Sequence, residues 1–174
     1  MDGDQDEGAR IACVRSFALL DTPDEAAFDA VAADAALFFG AAHAVVSLID
    51  RDRQWYKARH GVTEREVPRG LSLCTHAIRT TEVTIVPDAR ADDRFATNPF
   101  VTGAPFVRFY AAAPLRAREG LRVGTLCVFD PAPRAAVSHA EVARLQALAD
   151  RTVALMEGHR RRLEPSSPTL RRTG

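Results

Sequence analysis

Residues 44 to 50, AVVSLID, are apolar on both alternating faces. Successive side chains of a strand point to opposite sides, so a strand of this kind must be covered above and below. A chain containing it has to place that strand near the centre of a sheet, with a layer on each face. The neighbouring segments show how the sheet continues. Arg51-Asp52-Arg53 reads as a turn, and Gln54 to His60 as a returning strand that Gly61 ends. RFYAAAPL (108 to 115) and RVGTLCVFD (122 to 130) are two further strands joined through the hairpin signal Glu119-Gly120. In the second of these, Val123, Thr125, Cys127 and Phe129 share one face, and Gly124, Leu126 and Val128 the other. TIVPDA (84 to 89) is a short strand that Pro87 confines to an edge or an end. Tight turns join most of these strands, so a mostly antiparallel sheet of about five to six strands is expected.

Helical patterns flank the strands. RIACVRSFALL (10 to 20) is amphipathic, with Ile11, Val14 and Ala18 on one face. Thr22-Pro23-Asp24-Glu25 has the form of a capping box with proline at the first helical position. The helix it opens is expected to bury Phe28, Val31, Ala32, Ala35, Phe38 and Phe39 and to stop at Gly40. Ser138-His139-Ala140-Glu141 opens another helix, with Val142, Leu145, Leu148, Thr152, Leu155 and Met156 on one stripe. That stripe can pack on its own sheet or, with the 10 to 20 helix, on a second copy of the chain. The expected class is α+β: a central antiparallel sheet, long helices on one face, and loops with short helices over the other. The folded domain is expected over 10 to 162, between a disordered start (1 to 9) and a disordered tail (163 to 174).

Charge excludes some functions. The chain has 23 basic and 23 acidic side chains and no net charge, whereas non-specific nucleic-acid binding needs a basic excess. No apolar run approaches the ~20 residues of a membrane span. The start, MDGDQDEGAR, is acidic, the opposite of a signal peptide, so a cytoplasmic location is expected. Cys13, Cys74 and Cys127 are odd in number and widely spaced, which points to reduced thiols.

Five stretches, in order and over roughly residues 10 to 160, make the chain resemble a GAF domain. They are LLDTPDEAAFDAV, VVSLIDRDRQWYKARHGV, SLCTHAI, VPDARADDRFATNPFVTGAPFVRFYAAAPL and GTLCVFDPAPR. They are similar to the bacterial sensor subtype found ahead of histidine kinases and diguanylate cyclases. The resemblance implies a non-catalytic sensory domain with a small-molecule cavity between sheet and loops, signalling through terminal helices in a homodimer to an output domain or a separate output protein. It identifies no ligand, because GAF domains bind cyclic nucleotides, tetrapyrroles, haem or amino acids, and the cofactor stays unknown. The family pattern F-Y-A-G-A-P-L reads F-Y-A-A-A-P-L here, with Ala112 in place of glycine. The cyclic-nucleotide signature N-K-x-F-D-E is absent. The family's methionine sulfoxide reductase branch uses several spaced cysteines in the loop region, where this chain has one.

Candidate site residues cluster between 55 and 127. In an extended segment Cys74 and His76 would share a face, as a thiol and its base do; in a helix they diverge by about 200°. Alternatives for the pair are a wall of the cavity, half of a metal site, or the centre of a thiol-dependent redox enzyme. Cys127, mid-strand in an apolar run, is expected to pack as a small hydrophobe or to face the cavity. Asp88, Asp92 and Asp93 form a carboxylate cluster interleaved with Arg90 and Arg94, which favours loop capping and local pairing over cation binding. Phe95 and Asn98 lie in a long loop that either docks or lines a cavity. Arg108 and Tyr110 alternate onto one strand face, and Arg108 is the residue to hold a ligand anion if that face looks inward. Trp55 and Tyr56 point to opposite faces of their strand, and Trp55 is taken as the cavity candidate. A ligand-free dimerisation scaffold, with the space over Ala111, Ala112 and Ala113 closed, is the third alternative.

Overall fold

The computed structural model of the protein describes residues 5–165. Two helices, α1 (Glu7–Ser16) and α2 (Ala26–Phe39), precede strands β1 (His43–Ile49), β2 (Arg53–His60) and the short β3 (Glu66–Pro68). A one-turn helix α3 (Cys74–Ala77), strand β4 (Thr84–Val86) and a second one-turn helix α4 (Pro99–Thr102) follow. The chain then forms the hairpin β5 (Phe109–Arg116) and β6 (Arg122–Asp130) and the long helix α5 (His139–Leu163). The six strands run in the order β3-β2-β1-β6-β5-β4, with every neighbouring pair antiparallel.

The α+β class is the expected one, and β1 is central as its doubly apolar sequence requires. Ala44, Val46 and Leu48 pack under α1, α2 and α5, while Val45 and Ile49 face the opposite layer of α3, α4 and loops. The helical side is a continuous core joining Val14, Phe17, Phe28, Val31, Phe109, Leu126, Leu145 and Met156. Gly120 turns the β5–β6 hairpin at φ +84°, a conformation glycine adopts at little cost. Gly40 ends α2 at φ +55°, and Ser138 with Glu141 forms the reciprocal capping box of α5. The α5 stripe packs on its own sheet through Leu145, Leu148, Thr152 and Met156.

Three helix expectations need correction. The helix expected from residue 10 starts at Glu7, because the Asp6 carboxylate accepts a bond from the Ala9 amide (3.0 Å), and it ends at Ser16. Residues 5 to 9, read as disordered, are therefore tied down; the Gln5 carboxamide also bonds the Arg122 amide (2.8 Å). Residues 1–4 and 166–174 lie outside those described. Second, Thr22 does not cap α2. Its hydroxyl donates to the Leu19 carbonyl and accepts from the buried Lys57 ammonium (3.0 Å), and α2 begins three residues later than the box predicts. Third, Phe38 is 45% exposed, because it lies one step off the buried stripe of Val31, Ala35 and Phe39. Among the described residues no helix is long and apolar enough to cross a membrane.

Lys57 also explains the facing of β2. Val46 pairs with Ala58 and Ser47 with Tyr56, so Lys57 is one extra residue on β2. This bulge sends the Lys57 chain under the entrance to α2, where Glu25 and the Pro23 carbonyl (2.7 Å) hold it. Arg10, fully buried, fixes α1 to the sheet: Nη1 donates to the Ile49 carbonyl (2.6 Å), while Nε and Nη2 clasp the Glu7 carboxylate (2.8 and 2.9 Å). Arg69 Nη1 binds the same carboxylate at Oε1, the oxygen Arg10 Nη2 also holds.

Two predictions follow from these contacts. A Cβ on Gly124 would collide with the Ser47 backbone carbonyl across the β1–β6 pair. Gly124→Ala is expected to lower unfolding free energy by about 2 kcal/mol in urea melts; an unchanged midpoint would contradict that close approach. The Arg10 hydrogen bond, opposed by burial and assisted by Arg69, holds the Glu7 carboxyl down at about 2 against an ordinary 4.5. A depressed acid stabilises the fold above its unfolded value, and that contribution disappears as pH falls through its folded value. Glu7→Gln should therefore destabilise at neutral pH and shrink the loss of stability between pH 4.5 and about 2. Parallel acid limbs for variant and wild type, measured by circular dichroism, would refute the linkage.

Candidate functional site

The face of the sheet away from the long helices is incompletely filled. A cavity of about 250 Å³, partly open to solvent, lies between β1, β2, β6 and a cover made of α3, α4 and the segments around them. Its walls are mainly apolar, with Val45, Val67, Leu73, Phe100, Val107 and Phe129 prominent among the lining residues. Polar side chains pin the cover. The Asn98 side-chain oxygen caps α4 by accepting from the Phe100 amide (2.8 Å), and its Nδ2 donates to the Leu71 carbonyl (2.9 Å). Arg108 Nη1 donates to the Val101 carbonyl (2.7 Å) in the last turn of α4. Ser72 Oγ accepts from the Thr75 amide (3.2 Å) at the start of α3.

A strip of hydroxyl and amide groups crosses the sheet at one end of the cavity. Ser72 Oγ donates to Gln54 Oε1 (2.6 Å), Gln54 Nε2 donates to Ser47 Oγ (2.9 Å), and Ser47 shares a hydrogen bond with Thr125 (3.1 Å). Beside this strip Tyr110 Oη donates to Cys74 Sγ at 3.0 Å. Burial acts to raise the Cys74 thiol, but bonds from Cys127, Thr125, Tyr110 and Gln54 outweigh it and bring it down to about 7. Cys127 moves the other way: sharing a hydrogen bond with Cys74, and burial, push its thiol well up. Burial likewise raises the Tyr110 hydroxyl, so it remains a neutral donor.

Of the ten candidate residues, Cys74, Tyr110 and Cys127 come together on the cavity wall. The others are placed elsewhere. Trp55 faces the helical core, and its neighbour Tyr56 lines the cavity instead. His76 is half-buried with its ring edge-on to Phe95 (5.2 Å). The α3 turn separates it from Cys74, and burial together with Arg79 and Arg94 lowers its pKa, so it is no cationic partner for the thiol. Phe95 is buried between His76 and Tyr110 (6.0 Å) as packing behind the wall. Asn98 and Arg108 hold the cover by bonding backbone groups, so Arg108 does not reach inward for an anion. Asp88 pairs with Arg90, Asp92 pairs with Arg94, and Asp93 is exposed, as local capping requires. Among the described residues no acidic, cysteine and histidine cluster could hold a metal ion. Ala112 belongs to the apolar cluster that includes Ala77 and Ile78, and Ala111 and Ala113 face the long helices.

Sequence reasoning missed Tyr56, Gln54 and Ser72. One signal for Gln54 was present: it is a lone amide beside the fully covered strand β1 and is itself buried. A buried amide needs partners, and those partners are the polar strip.

Comparison with known proteins fits this geometry. The GAF domain family matches residues 24–154. A cyclic di-GMP phosphodiesterase of Pseudomonas aeruginosa is 41% identical over 142 residues, which is 82% of this chain. The chain spans only 24% of that protein's length. Among solved structures, the GAF domain of an Acinetobacter phosphoenolpyruvate-protein phosphotransferase superposes with a TM-score of 0.66 at 15% identity, over 92% of this chain and 98% of that one. A free methionine-R-sulfoxide reductase of Neisseria meningitidis, in complex with its substrate, gives 0.65 at 18% identity, over 94% and 98%. At these identities the two structures speak for the fold alone. The match over residues 24–154 spans both helical and cavity layers, and the chain belongs to the GAF domain family.

Proposed function

We propose that the chain is a sensory and regulatory module: a small molecule enters the cavity beneath α3 and α4, the cover settles on it, and the terminal helices pass the change on. The carrying observation is a direct polar link between the cover and the N-terminal helix. Ile78, which ends α3, presents its carbonyl to Arg122 Nε (2.6 Å) and to Gln5 Nε2 (3.3 Å), immediately before α1. A shift of α3 therefore acts on α1 without crossing the core. The length of the Pseudomonas relative supports a module that works as one part of a larger signalling protein or through a separate output protein, as in the sensor subtype ahead of kinases and cyclases. In this reading α1 and α5 also pair two copies, the module works in the cytoplasm, and it has no catalytic step of its own.

Val62 lines the cavity and is half-buried, so a tryptophan there is expected to fill the space without disturbing the core. Native mass spectrometry of protein isolated from cells should show a bound small molecule that Val62→Trp lacks. Amide hydrogen exchange should show α3, α4 and α1 slowed in the bound form. Finding the cavity empty after a broad metabolite screen would leave the ligand-free scaffold as the better reading.

A second reading rests on the thiol pair. Cys74 and Cys127 both line the cavity, and the Tyr110 hydroxyl that donates to Cys74 Sγ (3.0 Å) favours its thiolate, the form that attacks. In that reading Cys74 takes the oxygen of a methionine sulfoxide as a sulfenic acid, and Cys127 displaces it as water to close a disulfide. Each methionine formed then consumes two thiols. Wild-type protein incubated with free methionine-R-sulfoxide should lose Cys74 and Cys127 from a thiol titration, and Cys74→Ser should not. An unchanged titration in the wild type rules this reading out.

A further inference from the structure

The cavity contains one donor that the protein leaves unused. Tyr56 is only 8% exposed, yet among the described residues its hydroxyl has no hydrogen-bond partner. Buried hydroxyls are ordinarily paired, and among the described residues every fully sealed side-chain polar atom is. Tyr56 Oη is therefore not fully sealed, and the residue forms part of the cavity wall. Burial, with Cys127 and Cys74 nearby, raises the Tyr56 hydroxyl, so it offers a proton and no charge. The nearby amide and hydroxyl groups are already committed to one another in the polar strip.

The charge around the space is equally informative. Among the described residues, no arginine or lysine lines the cavity; Glu64 and His43 are the acidic and imidazole groups in its lining. His43 is already engaged through Nδ1 with the Gly61 carbonyl (2.9 Å). A carboxylate or phosphate would enter an apolar space without a cation to offset its lost hydration, and it would pass the Glu64 carboxylate. The volume, about 250 Å³, lies below the ~300–1,000 Å³ usual for drug-sized ligands.

We infer that the cavity takes a mainly apolar molecule of about single-ring size that carries no negative charge and accepts a hydrogen bond from Tyr56 Oη. The inference rests on the reading of the cavity as a ligand site and narrows it to one chemical class. The apolar body lies against Val45, Val67, Phe100 and Phe129, and a carbonyl, ether or hydroxyl oxygen meets Tyr56.

Three probes of similar shape test it: acetophenone, which is neutral with an acceptor; benzoate, which is anionic; and ethylbenzene, which has no acceptor. Affinities are read by ligand-observed NMR on the whole chain. Acetophenone is expected to bind at least about ten-fold more tightly than benzoate and about three- to ten-fold more tightly than ethylbenzene, the worth of one buried hydrogen bond. Tyr56→Phe should remove the advantage over ethylbenzene while leaving ethylbenzene itself unchanged, which also shows that the variant keeps its cavity. The wild-type comparison stands by itself should the variant fold poorly. Benzoate binding as tightly as acetophenone, or ethylbenzene equal to acetophenone in the wild type, overturns the assigned class while leaving the cavity a ligand site. If none of the three binds the wild type, the ligand-site reading itself fails.

Discussion

Both faces of the β1–β6 pair are shielded from water, and the rest of the chain is arranged to keep them so. The two strands approach so closely at Gly124 and Ser47 that no side chain fits between them. On one side three long helices supply Phe17, Phe28, Val31 and Leu145, which interdigitate into a filled core. On the other side the cover consists of two one-turn helices and loops. Short elements of that kind cannot bury a broad apolar surface, because they carry few inward-facing side chains and hold position largely through hydrogen bonds. The cavity is the consequence: a sheet face that must be covered, and a cover too slight to fill the space beneath it.

This asymmetry also divides the labour of the polar groups. Those on the helical side are anchors. Arg10 clamps Glu7 to the end of β1, Lys57 holds the entrance to α2, and Arg160 near the end of α5, stacked over Phe17 at 4.3 Å, reaches Glu157 on its own helix and Glu119 in the β5–β6 turn. Those on the cavity side form a strip whose members satisfy one another, with Tyr56 left over. That hydroxyl is left for water or a guest to pair.

Much of the fold was legible in the sequence because hydrophobic period and turn chemistry act locally. The doubly apolar β1, the Glu119-Gly120 hairpin, the edge position imposed on β4 by Pro87 and the capping box of α5 each follow from a few adjacent residues. What was not legible depended on partners distant in the chain. Thr22-Pro23-Asp24-Glu25 has every residue of a helix start, but Lys57, about thirty-five positions away, occupies the hydroxyl that would have capped it. The same lysine makes the bulge in β2. Alternation correctly puts Trp55 and Tyr56 on opposite faces, but it cannot say which face meets the helices. Choosing Trp55 over Tyr56 misplaced the cavity residue for that reason. Arg108 and Asn98 were recognised as distinctive, yet their partners are backbone carbonyls, which a sequence does not advertise.

In the proposed function the thinly covered face admits a guest and the helical face does not. Methyl-labelled valine and leucine residues, followed by two-dimensional NMR as acetophenone is added, test this most directly, because both faces carry reporters. Saturable shifts are expected at Val45, Val62, Val67, Leu73 and Val107, with Val14, Val31 and Leu145 unmoved. Shifts centred on the helical core, or none anywhere at high probe concentration, would contradict it.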